Sequence, residues 1–175
     1  ETGIDVLLRG AATEPAQKTD AQVIDDLRNF LFGPPGSGGL DLPSLNIQRG
    51  RDHGLPDYNT VRTEAGFPPA NDFADVTGDV NAQEKLASVY RGPDEIDPWI
   101  GLLSEDAVAG GVTGPTLRKI LSQQFRRMRD GDRFFYLNDP DLAAEREELN
   151  KTTLAQVIER NTQIRGLQRN VFFGP

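Results

Sequence analysis

Apolar positions in this chain recur at three- and four-residue intervals in several windows, and no convincing window alternates apolar with polar over strand length. Thr19 or Asp20 caps the first expected helix, whose apolar positions are Val23, Ile24, Leu27, Leu31 and Phe32. The run Gly33-Pro34-Pro35-Gly36-Ser37-Gly38-Gly39 then breaks the pattern and reads as a loop, because apolar patterning resumes at once. Pro56 suits the first turn of a short helix carrying Tyr58 and Val61, stopped by Gly66. Asn81 caps a helix with Leu86, Val89 and Tyr90 on one face, closed by Gly92. The clearest expectation is a helix from Pro115 to about Arg129, with Leu117, Ile120, Leu121, Phe125 and Met128 as a buried stripe and Gly131 at its end. Asp139-Pro140 opens an amphipathic helix through Leu149, and Thr152 or Thr153 opens a last one with Leu154, Val157 and Ile158. Val171-Phe172-Phe173 is at most a short edge strand. The expected fold is mainly α, with long loops and little or no β.

Composition narrows the function classes. A length of 175 residues fits one domain able to bury most of its apolar surface. A net charge of -8 and a pI near 4.7 argue against nucleic acid or an anionic membrane as the main partner. No window approaches the run of roughly 18 apolar residues that a membrane span needs. Glu1-Thr2-Gly3 has neither an initiator Met nor a signal pattern, as expected of a processed or truncated chain. With no cysteine, the residues carry no disulfide, Fe–S cluster or thiolate-ligated haem. Asn150-Lys151-Thr152 is a formal glycosylation acceptor, a triplet too common to decide anything.

The chemistry concentrates in residues 41–59, Asp-Leu-Pro-Ser-Leu-Asn-Ile-Gln-Arg-Gly-Arg-Asp-His-Gly-Leu-Pro-Asp-Tyr-Asn. Such a polar run is costly to bury unless each group finds a partner. From the residues alone, Asn46 reads first as a cap or an Asx turn after Leu-Pro-Ser. Arg49 reads as a salt-bridge partner of Asp41, Asp52 or Asp57, and Arg51 as a structural partner of Asp52. His53, the only histidine, sits between Asp52 and Gly54 in an expected turn with its imidazole hydrogen-bonded.

This stretch also resembles, nearly residue for residue, a signature of the animal-type haem peroxidases, the myeloperoxidase and peroxidasin family. The resemblance continues through Asp97-Pro98-Trp99-Ile100-Gly101-Leu102-Leu103-Ser104-Glu105, Gly114-Pro115 and the run from Gln124 to Tyr136. It ends at Asn161-Thr162 and Asn170-Val171-Phe172, so it covers essentially the whole chain. It implies the C-terminal part of a single all-helical catalytic domain over residues 1–175, with the proximal and distal histidine segments upstream. Vertebrate members are disulfide-rich, so a cysteine-free chain looks more like a bacterial relative.

The resemblance assigns roles residue by residue. Asn46 matches the position whose amide accepts the non-ligating N–H of the proximal histidine, which fixes the tautomer and tunes the iron. Arg49 matches a haem-propionate contact, where a guanidinium forks onto a carboxylate. Leu42, Leu45 and Phe32 match positions that line the haem, although apolar residues at such spacings serve equally as plain core. His53 matches a family histidine that is not the axial ligand, and it cannot be the distal acid–base group either.

Asp130-x-Asp132 lacks the further oxygens of a calcium loop, and the family's calcium site lies upstream. Trp99 and Phe134-Phe135-Tyr136 read as core anchors, and the Arg and Asp residues from 126 to 133 as mutually neutralising.

The implied function is that of a haem peroxidase, an oxidoreductase that reduces hydrogen peroxide and oxidises halides or small organic donors. Its cofactor would be haem b, ligated by a histidine outside this chain, and its partner the upstream segment. The resemblance favours a secreted or extracellular setting, and the isolated chain is expected to be inactive. Two alternatives stay open: a cyclooxygenase-like fatty-acid dioxygenase, and a haem-free peroxidase-homology module kept for protein contacts.

Overall fold

A computed structural model describes residues 3–16, 18–25, 27 and 41–173. All regular elements among them are helical: α1 (Ile4–Thr13), α2 (Leu42–Asp52), α3 (Tyr58–Glu64), α4 (Val80–Val89), α5 (Pro98–Ser104), α6 (Pro115–Gly131), α7 (Arg146–Lys151) and α8 (Leu154–Asn161). Single 3-10 turns occupy Phe73–Asp75, Pro93–Glu95 and Pro140–Leu142. The expected α class holds, and the Val171–Phe173 run forms no strand.

The chain divides into two compact units, residues 18–125 and residues 1–17 with 126–175. In the first, Tyr58, Ala70, Val76, Leu86 and Ile96 form the core, with Phe73, Tyr90 and Ile100 packed against it. Tyr58 and Ile96 are fully buried, and the Tyr58 backbone N–H donates to the Ile96 carbonyl (2.9 Å), closing α3 onto the segment before α5. The α3–α5 contact requires Gly101, because a Cβ there would fall 2.4 Å from the Tyr58 ring. Gly101→Ala is therefore expected to destabilise the unit by about 1–3 kcal/mol through overpacking, read as a lower denaturant midpoint at unchanged slope.

A buried polar knot crosses the same core. Glu105 Oε1 accepts from the Tyr58 hydroxyl (2.9 Å), Arg62 Nη1 (2.7 Å) and the Thr116 hydroxyl (2.5 Å), while Oε2 accepts from the Thr116 N–H (2.9 Å). Burial and the adjacent carboxylate push the Tyr58 phenol above its ordinary pKa, so it stays a donor. Asn59 behaves like a strand neighbour. Its amide accepts from the Ala70 N–H (2.8 Å) and donates to the Ala70 carbonyl (2.8 Å) and to Asp94 (2.7 Å). Among the described residues of this unit no buried side-chain polar atom is left without a partner, which is what makes burying the knot tolerable.

In the other unit, Ala12, Ala155, Ile158 and Ile164 are buried. The Gln163 N–H donates to Asp5 (3.3 Å), and the Gln168 amide donates to the Ala12 carbonyl. Thr153 caps α8 in a reciprocal box with Gln156, as the sequence pattern anticipates.

Several expectations need correction. Helix α1 was not anticipated. Residues 19–24 are not helical; Asp20 accepts the Gln22 N–H in a turn (2.8 Å), and among the described residues that follow, Asp25 and Leu27 are helical. Phe32, Leu31 and the Gly/Pro run lie outside the described residues. Asp57 caps α3, so Pro56 precedes the helix instead of standing in its first turn, and Asp79, not Asn81, caps α4, the two aspartates accepting backbone N–H groups of the first turn. The helix expected from Asp139 to Leu149 is a 3-10 turn followed by α7. Val89 is exposed, as is Phe134, which stacks under the Arg133 guanidinium at 4.4 Å instead of entering a core. Most notably, the α6 stripe is not buried: Leu121, Phe125 and Met128 are 39%, 65% and 55% exposed.

Candidate functional site

The signature segment folds as α2. Asp41 caps it by accepting the Ser44 N–H (3.3 Å) and hydroxyl (2.9 Å), and Pro43 occupies the second position, where its missing N–H costs nothing. The helix ends at His53, followed by Gly54 at φ +66, the left-handed conformation that glycine adopts without strain. Leu42, Asn46, Arg49 and His53 thus recur at spacings of four, three and four along one face.

That face borders a hollow of about 340 Å³, lined by Asn46, Ile47, Arg49, Gly50, His53 and Leu55 on one side and by Asp97, Pro98 and Trp99 on the other. Asn46 is half-buried and Arg49 is exposed, and neither side chain has a hydrogen-bond or ion-pair partner among the described residues. The hollow therefore offers an uncommitted amide and an uncommitted guanidinium beside an indole and an aliphatic wall. Leu42 is half-buried and Leu45 is 41% exposed; both sit on α2, but neither lines this hollow. His53 turns Nδ1 to the Arg49 carbonyl (2.9 Å), which places the proton on Nδ1 and ties the imidazole to the end of its own helix. That local bond is the structural use expected of it.

Arg51 differs from Arg49 in every respect that matters. It does not line the hollow but forks onto Asp97, which does, with Nε to Oδ1 at 2.8 Å and Nη2 to Oδ2 at 2.7 Å. Its partner is not Asp52, which instead accepts from Gln48 (2.7 Å). The Tyr90 hydroxyl also donates to Asp97 Oδ2 (2.8 Å). The bond from Arg51 holds the Asp97 carboxyl below the usual carboxylate range, while burial, then the bond to Asp97, pushes the Tyr90 phenol up to about 12. A depressed carboxyl pKa stabilises the fold above the unfolded value and loses that contribution as pH falls through the folded one. Asp97, Trp99 and Leu55 escaped assignment to the site from sequence, although Asp97-Pro98-Trp99 stands inside a motif and Leu55 follows Gly54 directly.

A second hollow of about 350 Å³ lies in the same unit, between α4 and α5, and shares only Ile47 with the first. No group of three or more His, Cys, Asp or Glu able to hold a metal occurs among the described residues. No helix among them is long and apolar enough to cross a membrane.

The chain, helical throughout its described regular elements, has counterparts among known proteins. The animal haem peroxidase model matches residues 1–172, and the chain belongs to that family, whose members use haem. It is 44% identical to peroxinectin A of Dictyostelium discoideum over 97% of this chain and 32% of that protein. The solved structure of peroxidase A from Dictyostelium discoideum superposes with a TM-score of 0.87 at 43% identity, covering 97% of this chain and 33% of that one. A fatty acid alpha-dioxygenase from Oryza sativa matches more distantly, with a TM-score of 0.62 at 28% identity over 71% of this chain and 21% of that one. The chain thus spans about a third of the length of these two Dictyostelium relatives.

Proposed function

We propose that the chain forms part of a haem peroxidase catalytic domain that reduces hydrogen peroxide and oxidises halides or small organic donors. The rest of the domain supplies the iron ligand and the distal groups, so the chain alone is inactive. A secreted or extracellular setting goes with the same reading. The donor set fits haem b: a neutral acceptor for an imidazole N–H, a cation for a propionate, and an apolar flank. Haem, when bound, supplies the redox chemistry at its iron.

The chain's own residues hold and orient. Asn46 Oδ1 accepts the outer N–H of the proximal imidazole, fixing its tautomer. As a neutral acceptor it draws the proton less than a carboxylate would, leaving the imidazole a weaker electron donor. Arg49 pairs with a propionate through its planar fork and keeps the macrocycle from tilting. The hollow's own apolar flank is Ile47, Leu55, Pro98 and Trp99, and Leu42, Leu45 and Phe32 would add apolar wall elsewhere around the macrocycle, as the family motif implies. The observation that carries this reading is the contrast on α2: Asn46 and Arg49 share a hollow with no partner among the described residues, while Arg51, two positions beyond Arg49, forks onto Asp97.

The test uses the full-length protein. Its absorbance spectrum with and without peroxide should show a histidine-ligated haem that responds to the oxidant. Losing one charge-assisted bond, Arg49→Ala should weaken haem retention roughly tenfold or more. A normal haem-to-protein ratio after gel filtration would count against propionate anchoring. The likeness to the rice dioxygenase favours a second reading, oxygenation of a fatty acid, and turnover of fatty acid in place of halide or organic donor would select it.

A further inference from the structure

We propose that Asp97 is a positioning residue: by gripping Arg51 and Tyr90 together it sets the pose of α2, and with it the places of Asn46 and Arg49 in the hollow. This rests on the roles given to Asn46 and Arg49 above.

The case begins with what α2 lacks. None of its eleven residues is fully buried, and its packing against α5 rests on half-buried side chains, so apolar contact fixes it only in part. Its other side-chain bonds are local, Ser44 to Asp41, Gln48 to Asp52 and the His53 ring to the Arg49 carbonyl. Among the described residues, the fork from Arg51 to Asp97 is the only side-chain hydrogen bonding that ties α2 to another element. A two-bond fork constrains direction as well as distance, which a single bond does not.

The mount at the other end is firm. Asp97 directly follows the fully buried Ile96, whose carbonyl accepts the Tyr58 N–H, and its own carbonyl accepts the Gly101 N–H (3.0 Å) as α5 begins. Tyr90 reaches the same carboxylate from the end of α4. Asp97 therefore joins three elements, and its side chain is only 9% exposed. Arg51 lies about 140° around the helix from Asn46 at 100° per residue, so the clamp leaves the site face free.

The Arg51 side chain is 60% exposed, and such a pair adds little to global stability. A clamp that matters through geometry should therefore move the site more than the melting temperature. Asp97→Asn and Arg51→Lys in the full-length, haem-loaded protein test this, each removing the fork while keeping size. Amide exchange across residues 42–52 is expected to speed up roughly fivefold, the equivalent of about 1 kcal/mol. The haem reduction potential should move towards that of Asn46→Ala, and adding either change to Asn46→Ala should shift it no further.

Wild-type exchange rates and potential in both variants would overturn the proposal. If Asn46→Ala shifts the potential and these two do not, the inference alone falls. If Asn46→Ala itself has no effect, the site assignment falls and takes this one with it. Should Asp97→Asn fail to fold, Arg51→Lys decides by the same readings, because the side chain it alters is largely in solvent.

Discussion

Replacing Asn46 by Asp in the full-length protein is expected to lower the haem reduction potential by about 40 mV, the equivalent of roughly 1 kcal/mol between a neutral and a charged acceptor. Asn46→Ala should act in the same place by leaving the imidazole N–H without its partner, and turnover with peroxide should fall roughly tenfold or more, as is usual when the group that orients a metal ligand is lost. Spectroelectrochemistry and steady-state rates on the two variants give both numbers. The pair separates charge from orientation, because only Asp adds a negative charge behind the imidazole. Identical potentials in wild type, Asn46→Asp and Asn46→Ala would remove Asn46 from the haem environment.

The largest stability effect is expected at Glu105. Its side chain is 1% exposed and accepts from Tyr58, Arg62 and Thr116 at once. Glu105→Ala takes the carboxylate from the Arg62 guanidinium, itself only 14% exposed and left with its bond to the Pro68 carbonyl, and leaves two buried hydroxyls short of an acceptor. Breaking a buried pair from one side typically costs about 3–5 kcal/mol, a large share of a domain's whole margin of about 5–15 kcal/mol. Urea unfolding should show the midpoint collapsing. A loss below about 1 kcal/mol would mean that the knot behaves like an exposed ion pair. Glu105→Gln tests the same point more gently, since it keeps the shape and removes the charge.

What the sequence made legible, and what it hid, divides along range. Pro115 and Gly131 bound α6 and Thr153 opens α8, because those signals act within a turn or two of themselves. The caps of α3 and α4 fell one or two residues from their expected places because Asp57 and Asp79 stood beside other plausible starters. The α6 stripe was recognised as apolar, but periodicity says which side of a helix is oily and nothing about what covers it. Arg51 shows the same limit for charge. Its neighbour Asp52 looked like the natural partner, yet the acceptor is Asp97, 46 positions along. The face carrying Asn46 and Arg49 came from a motif and helical spacing, whereas its opposite wall at Trp99 depends on tertiary folding, as the Asp97 clamp does.

The uncovered seam of α6 has a practical side. Phe125 and Met128 stand largely in water along the second half of the helix, and such surfaces invite self-association. Handled as a separate polypeptide, these 175 residues belong at low concentration, with chaperones at hand, because the same oil that would seal a larger assembly glues strangers together when left bare.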